Sequence, residues 1–413
     1  MKFSIVSISF LLSILYVTHV AQAVNICPMP VPEQYADVQP GNIVVAYFTN
    51  WDCYGKQAYK VEDIYPVAHK LTHIIYAFAC PNKKTGICEL HDPWCDVGAN
   101  LEYRKKLGGN FAKLKELKRK FPHIKILLSI GGGVHSKYIS QVVQNGKDKE
   151  FVESAVKLLD RYEYTFKNSK TLESETITFE YEGLFDGLDF DWEWVNNVVS
   201  EQDARAYQNM IVLLRQLLKE RADKQKTTSL LTVALQVKSS VYKKLGLDKV
   251  SQYVDWFHVM TYNFTSPVSS GIGFNAPICN AWSSYSVDNA IHGIMLAGVS
   301  PQQIVLGVPL YGHVFDQTRS KIGSPFIKTD ITDSLSYNKI KELYVTNKSC
   351  QYAWNEKSSV PYMYCPDDKV FVSFDDERSV KEKVQYARLK KLKGIVFWKL
   401  SGDDKQHSLI HAI

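Results

Sequence analysis

Eight short apolar runs, each rich in β-branched or aromatic residues, recur along the chain and limit what it can fold into. They cover residues 43–49, 71–79, 125–131, 185–193, 231–237, 256–262, 304–311 and 394–400. Runs of this length read as buried strands. Between several of them the apolar positions change to helical spacing, as in 111–121, 151–166, 204–222 and 380–391. A chain that alternates β and α builds a parallel sheet covered by helices, and eight such units predict an α/β fold of the (β/α)8 TIM barrel type. The widest gap without a clear barrel helix is 313–372, where Tyr, Phe and turn residues dominate. It reads as an α+β subdomain inserted after strand 7. The barrel then comprises 24–312 and 373–413.

The first 23 residues read differently. Lys2 precedes an apolar stretch from Phe3 to Val17, and Ala21-Gln22-Ala23 has the small-x-small form of a signal peptidase site. The expectation is a signal peptide over 1–23 and a secreted, extracellular protein. All eight cysteines (27, 53, 80, 88, 95, 279, 350 and 365) follow that site, and an even count in an oxidising compartment favours disulfides. Cys350 and Cys365, close in sequence, are expected to pair. Cys88, His91 and Cys95 have a spacing that could hold zinc, but no fourth ligand is obvious nearby, so no metal and no other cofactor is expected.

Beyond the leader, no apolar run reaches the roughly 18 residues needed to cross a bilayer, so no membrane association is expected after cleavage. The chain has 413 residues and a formal net charge of only +6, with its basic residues scattered over helix-like stretches such as 113–120 and 388–393. That pattern reads as solvated helix faces and not as a nucleic-acid surface.

The chemistry is concentrated in the fourth run. In Asp186-Gly187-Leu188-Asp189-Phe190-Asp191-Trp192-Glu193, the acids Asp189, Asp191 and Glu193 stand at i, i+2 and i+4, on one face of a strand. Leu188, Phe190 and Trp192 take the other face, which in a barrel packs against helices. The acids therefore point inward, where repulsion and desolvation raise at least one pKa. Glu193, nearest the C-terminal end of the strand, is the one able to reach a ligand as a protonated acid.

The same eight residues resemble the DxxDxDxE signature of family 18 glycoside hydrolases, the chitinases and chitinase-like proteins. Further matches span nearly the whole chain. Tyr47 to Trp51 resembles the first strand, Ile75 to Ala79 the second, and Ser129-Ile130-Gly131-Gly132 the third. Met260-Thr261-Tyr262-Asn263 resembles the sixth strand, Leu306 to Gly312 the seventh, and Gly394 to Trp398 the eighth. In the family an α+β insertion follows strand seven, in agreement with 313–372.

The resemblance implies a monomeric, endo-acting chitinase hydrolysing β-1,4-linked N-acetylglucosamine polymers with retention of configuration, the substrate's acetamido oxygen acting as nucleophile. Glu193 would be the acid, Asp191 would orient the acetamido N–H, Asp189 would share a proton with Asp191, and Tyr262 would donate to the acetamido oxygen. Trp398 would form an apolar floor. Tyr47, Trp51, Phe78, Gly131, Gly132, Met260, Asn263 and Tyr311 are further substrate-binding candidates. Non-proline cis peptides are implied at 77–78, 193–194 and 398–399. Two other readings share the fold: a non-catalytic chitinase-like lectin or signalling protein, and an endo-β-N-acetylglucosaminidase acting on N-glycans.

Four positions depart from the family pattern. Asn263 replaces an Asp, His313 an Arg, Gly133 a Trp that often offers a stacking platform, and Trp194 the commoner Tyr.

Overall fold

The computed structural model describes residues 43–55, 58–99, 107–167, 173–279 and 285–413. The expected leader over 1–23 and Cys27 lie outside the described residues. Eight parallel strands form the centre: β1 (Ile43–Thr49), β2 (His73–Pro81), β3 (Lys125–Gly131), β4 (Gly187–Asp191), β5 (Leu230–Leu235), β6 (Trp256–Val259), β7 (Ile304–Pro309) and β8 (Gly394–Trp398). Each pairs with the next, and β1 pairs with both β2 and β8, so the sheet closes into a barrel. This is the (β/α)8 architecture that the eight runs predict.

The period of two along each strand divides the core. On β3, Ile126, Leu128 and Ile130 join the large cluster shared with the helices, while Leu127 and Ser129 face the barrel axis. On β4, Leu188 and Phe190 take the helix side with Trp192 beyond them, and Asp189 faces inward. Phe190 is fully buried and stacks on Tyr207 of the helix Glu201–Gln225 at 6.2 Å between ring centroids. Its truncation to Ala would cost about 3–5 kcal/mol, so the outward face of β4 anchors the strand that carries the acids.

One predicted helix is shorter than its pattern. The stretch 151–166 is helical only within Asp148–Lys157, and Arg161–Lys167 pairs with Ser174–Glu180 as an antiparallel hairpin. Phe151, Val152, Ala155 and Val156 carry helical spacing, but Tyr162, Tyr164 and Phe166 alternate with polar residues, which is a strand period.

After β7 the chain enters a five-stranded antiparallel sheet in the order Ser334–Ser336, Tyr311–Phe315, Val370–Ser373, Val360–Cys365, Gln351–Asn355. A disulfide joins Cys350 to Cys365, the pairing expected from their closeness. A second joins Cys53 to Cys95, which withdraws Cys95 from any zinc site. Cys80 and Cys88 are buried and free, contrary to the expectation drawn from the even count. Register explains this: Cys80 lies opposite Glu89 and Cys88 opposite Pro81, so the two thiols fall on opposite faces of their ladder.

Candidate active site

The inward residues of β4 open into a cavity of about 150 Å³ lined by Tyr47, Asp191, Glu193, His258, Met260, Tyr262, Asn263, Tyr311 and Trp398, among others. These come from β1, β4, β6, β8 and the segments that follow β6 and β7, so the cavity sits at the C-terminal mouth of the barrel, where such folds carry their sites. A larger hollow of about 370 Å³ includes Ile43 and Gly394, at the strand starts, and has no side-chain carboxylate in its lining.

The three acids differ in their surroundings. Asp189 Oδ2 accepts from Tyr47 OH at 2.8 Å and Ser129 Oγ at 2.7 Å, and its Oδ1 accepts from Thr232 Oγ1 at 2.6 Å. His258 Nδ1 lies 3.2 Å from Oδ1. Trp256 Nε1, which can only donate, bonds His258 Nε2 at 2.7 Å, so the imidazole carries its proton at Nδ1, which faces Asp189 Oδ1 and the Tyr47 hydroxyl oxygen 3.3 Å away. Burial would raise the pKa of Asp189, but the bonds from His258, Thr232 and Ser129 outweigh it and hold the carboxyl below the usual range. Asp189 is an anion at the floor of the site.

Asp191 is buried, and its Oδ1 has no hydrogen-bond partner among the described residues. Burial, then the charges of Glu193 and Asp189, push its pKa well up, so it holds a proton. No hydrogen bond joins it to Asp189. The proton expected to be shared between the two therefore sits on Asp191, because Asp189 is already saturated by donors from four other strands.

Glu193 is half-buried at the mouth. Desolvation raises its pKa to about 7, against the pull of a hydrogen bond from the Gly133 N–H. Its own backbone N–H donates to Ser136 Oγ at 2.8 Å, and Ser136 Oγ in turn donates to Gly132 O at 2.9 Å. The next amide, that of Trp194, donates to Gln236 Oε1 at 2.8 Å. Cis peptides occur at Ala77–Phe78 and Trp398–Lys399 as implied, whereas the Glu193–Trp194 bond is trans, with both of its flanking amides held by these side chains.

Aromatic rings continue outward from the cavity. Tyr47 meets Trp398 edge-on at 5.1 Å, Trp398 stacks with Phe78 at 6.0 Å, and Phe78 with the exposed Trp51 at 5.9 Å. Lys399 bonds Asp52 Oδ1 at 2.6 Å and lies 5.2 Å over the Trp51 ring, which ties that rim to the end of β8. Gly131 and Gly132 do not line the cavity. A Cβ on Gly131 would come within 2.1 Å of Asp191 O, and one on Gly132 within 2.5 Å of the Phe78 ring, and both residues have positive φ. Both positions need glycine for this close approach.

On the opposite wall, Asn263 has φ 58°, a conformation Asn adopts readily. Its Oδ1 accepts from Tyr311 OH at 2.7 Å and from His313 Nε2 at 3.0 Å, while Ser334 Oγ bonds His313 Nδ1 at 2.8 Å. Burial lowers the pKa of His313 to about 4, with Asp333 pulling the other way, so the imidazole is neutral. An uncharged Asn–His couple thus stands where the family pattern has Asp and Arg. Tyr262 packs edge-on against Tyr311 at 5.9 Å, and burial keeps its hydroxyl protonated.

Sequence reasoning missed Thr232, His258, Trp256, Ser136 and Gln236. A polar residue at an inward position of a barrel strand marks the first two. Ser136 and Gln236 carry no such signal.

The model of the glycosyl hydrolases family 18 matches residues 43–403. The chain belongs to that family, and with it to the glycoside hydrolases. Chitinase A1 of Niallia circulans is 28% identical over 417 residues, a match covering 87% of this chain and 56% of that protein. Probable chitinase 2 of Drosophila melanogaster is also 28% identical, with 88% of this chain and 72% of that protein covered. Among solved structures, the Group IV chitinase of Ostrinia furnacalis in complex with allosamidin is similar with a TM-score of 0.73 at 28% identity, covering 90% of this chain and 97% of that one. The match spans little more than half the length of the bacterial relative.

Proposed function

We propose that this protein hydrolyses β-1,4-linked N-acetylglucosamine polymers from within the chain, outside the cell, by substrate-assisted retaining catalysis. The observation that carries the reading is the different setting of three acids on one strand: Asp189 held down by its ring of donors, Asp191 above it with an unpartnered Oδ1, and Glu193 at the mouth, the last two pushed up by burial. Separating pKa values within one site is how acid and base roles are assigned. The names of the relatives above support the choice of polymer.

In this mechanism Glu193 gives its proton to the glycosidic oxygen as the bond to C1 breaks. The acetamido carbonyl oxygen of the same sugar attacks C1 and forms an oxazolinium ion. Asp191 supplies the missing contact: its unpartnered Oδ1 suits the acetamido N–H. Tyr262 donates to the acetamido oxygen, and Trp398 offers its ring to the apolar face of the sugar. Water, deprotonated by Glu193, then opens the oxazolinium ion at C1. Each displacement inverts C1, so the product keeps the β configuration. The barrel carries this chemistry, and the sheet inserted between β7 and β8 forms one wall of the cleft through Tyr311 and His313.

Two measurements test the reading. Proton NMR during hydrolysis of a chito-oligosaccharide should show the β anomer first, and an initial α anomer would defeat substrate assistance. Glu193→Gln should still bind the oligosaccharide but turn over about 10²- to 10⁴-fold more slowly. Turnover within a few-fold of the parent would remove Glu193 from the role of acid.

A further inference from the structure

A basic rim is built on the loop that supports the acid. Gly133, whose N–H bonds Glu193, leads through His135 into the helix Ser136–Gln144, and Ser136 holds the backbone of Glu193. Within the first turn of that helix lie Lys137 and Tyr138. Lys137 Nζ and Lys83 Nζ, the latter from the turn after β2, each lie 5.0 Å from the centroid of the Tyr138 ring. Both ammonium groups lower the pKa of the Tyr138 hydroxyl, Lys83 most. The rings of His91 and His135 meet at 4.5 Å alongside. Lys147 reaches the same turn through Thr85 O at 3.0 Å.

None of Lys83, Lys137 and Lys147 has a carboxylate within salt-bridge distance among the described residues. The acids nearest Lys83 in sequence are engaged elsewhere: Glu89 accepts two bonds from Asn82 Nδ2, and Asp92 accepts from Tyr54 OH and Cys95 N. The helix adds the positive end of its dipole, with no side-chain cap at His135. Lysines that turn on a phenol for want of an anion and an uncapped helix start favour negative charge at one place, while burial, with the neighbouring lysines, lowers the pKa of His135 to about 4 and leaves that imidazole neutral. That place is one helical turn from the residue that orients Glu193.

We propose that this rim binds anionic substituents on the glycan in the cleft, so that the protein acts preferentially on N-acetylglucosamine polymers carrying carboxylate or sulfate groups. The proposal rests on the glycan-hydrolase reading of the cleft. A glycan is favoured over other polyanions because the rim grows from the loop and helix start, Gly133 to Ser136, that hold Glu193.

The test compares carboxymethyl chitin, 6-O-sulfated chitin and neutral glycol chitin as substrates for the parent and for the Lys83→Gln/Lys137→Gln double variant. Both lysines are exposed and lie outside the catalytic machinery, so glycol chitin should be hydrolysed alike by the two proteins. For at least one anionic polymer the variant should show KM raised roughly 3- to 10-fold with kcat unchanged, and 0.5 M NaCl should raise KM for the parent. Comparing the two anionic polymers shows which substituent the rim takes. Equal changes on neutral and anionic polymers, or no change on any, would overturn the proposal.

Affinity electrophoresis of Glu193→Gln in gels containing each polymer separates the proposal from the reading beneath it. Retardation by an anionic polymer that the two Lys→Gln changes abolish supports the rim even if the parent hydrolyses nothing. Equal retardation by duplex DNA or phosphatidylserine vesicles would assign the rim to other polyanions and overturn the glycan specificity.

Discussion

The pKa of about 7 at Glu193 makes a prediction about pH that can be worked through in numbers. The group acts by giving a proton, so activity follows its protonated fraction and falls as pH rises through the pKa. With a pKa of about 7 that fraction is about 0.9 at pH 6, about 0.5 at pH 7 and about 0.1 at pH 8. kcat/KM should therefore drop roughly tenfold between pH 6 and pH 8, an alkaline limb that reports the free enzyme. On the acid side Asp189, held below the ordinary carboxylate range, stays ionised, so the plateau should extend well below pH 6. The cause of the shift adds a second arm. Glu193 is raised by desolvation and not by surface charges, and desolvation is insensitive to salt, so the limb should stay in place between 0.05 M and 0.5 M NaCl. Initial rates on a chito-oligosaccharide across pH 5–9 at both salt concentrations measure this. A rate already falling at pH 5, as for an ordinary glutamate, or constant through pH 9, would refute the assignment. A limb that moves with salt would refute its cause.

Two further outcomes follow from contacts at the same site and at the inserted sheet. Ser136→Ala leaves the Glu193 N–H without its acceptor, which should cost about 1–3 kcal/mol in urea unfolding and lower kcat more than it raises KM; an unchanged kcat would show that the bond does not position the acid. Two Asn-x-Ser/Thr sequons occur, Asn263-Phe264-Thr265 and Asn347-Lys348-Ser349; Asn347 lies in a turn where Ser349 Oγ donates to its Oδ1 at 2.8 Å, whereas Asn263 lines the cavity with its Oδ1 held by Tyr311 and His313. Glycopeptide mass spectrometry of protein secreted from eukaryotic cells should find Asn347 occupied and Asn263 bare, and a largely occupied Asn263 in active protein would contradict its place in the cleft.

The parts of this fold that were legible in sequence are those governed by a local period. β1 occupies the seven residues its apolar run marks, and the acids of β4 face one way because alternate residues on a strand must. The error at 151–166 arose from the same rule. Two periods adjoin there, and the aromatic residues 162, 164 and 166 extend an apolar pattern whose spacing has already changed. What no local period can show is the environment of Asp189. Its donors, Tyr47, Ser129, Thr232 and His258, come from β1, β3, β5 and β6, up to 142 residues away in the chain. Crowding alone predicts that some acid on the strand is raised; it does not say which. The answer depends on closure. Once β1 joins β8, Tyr47 stands across the axis from β4, and Asp189, the deepest acid, collects donors from both sides. Asp191, one step higher, receives none at Oδ1 and must keep its proton. Glu193, at the mouth, is raised by desolvation as well. The direction in which each acid is pushed is thus set by its place in a closed barrel, and it could be read only after the strands had been joined.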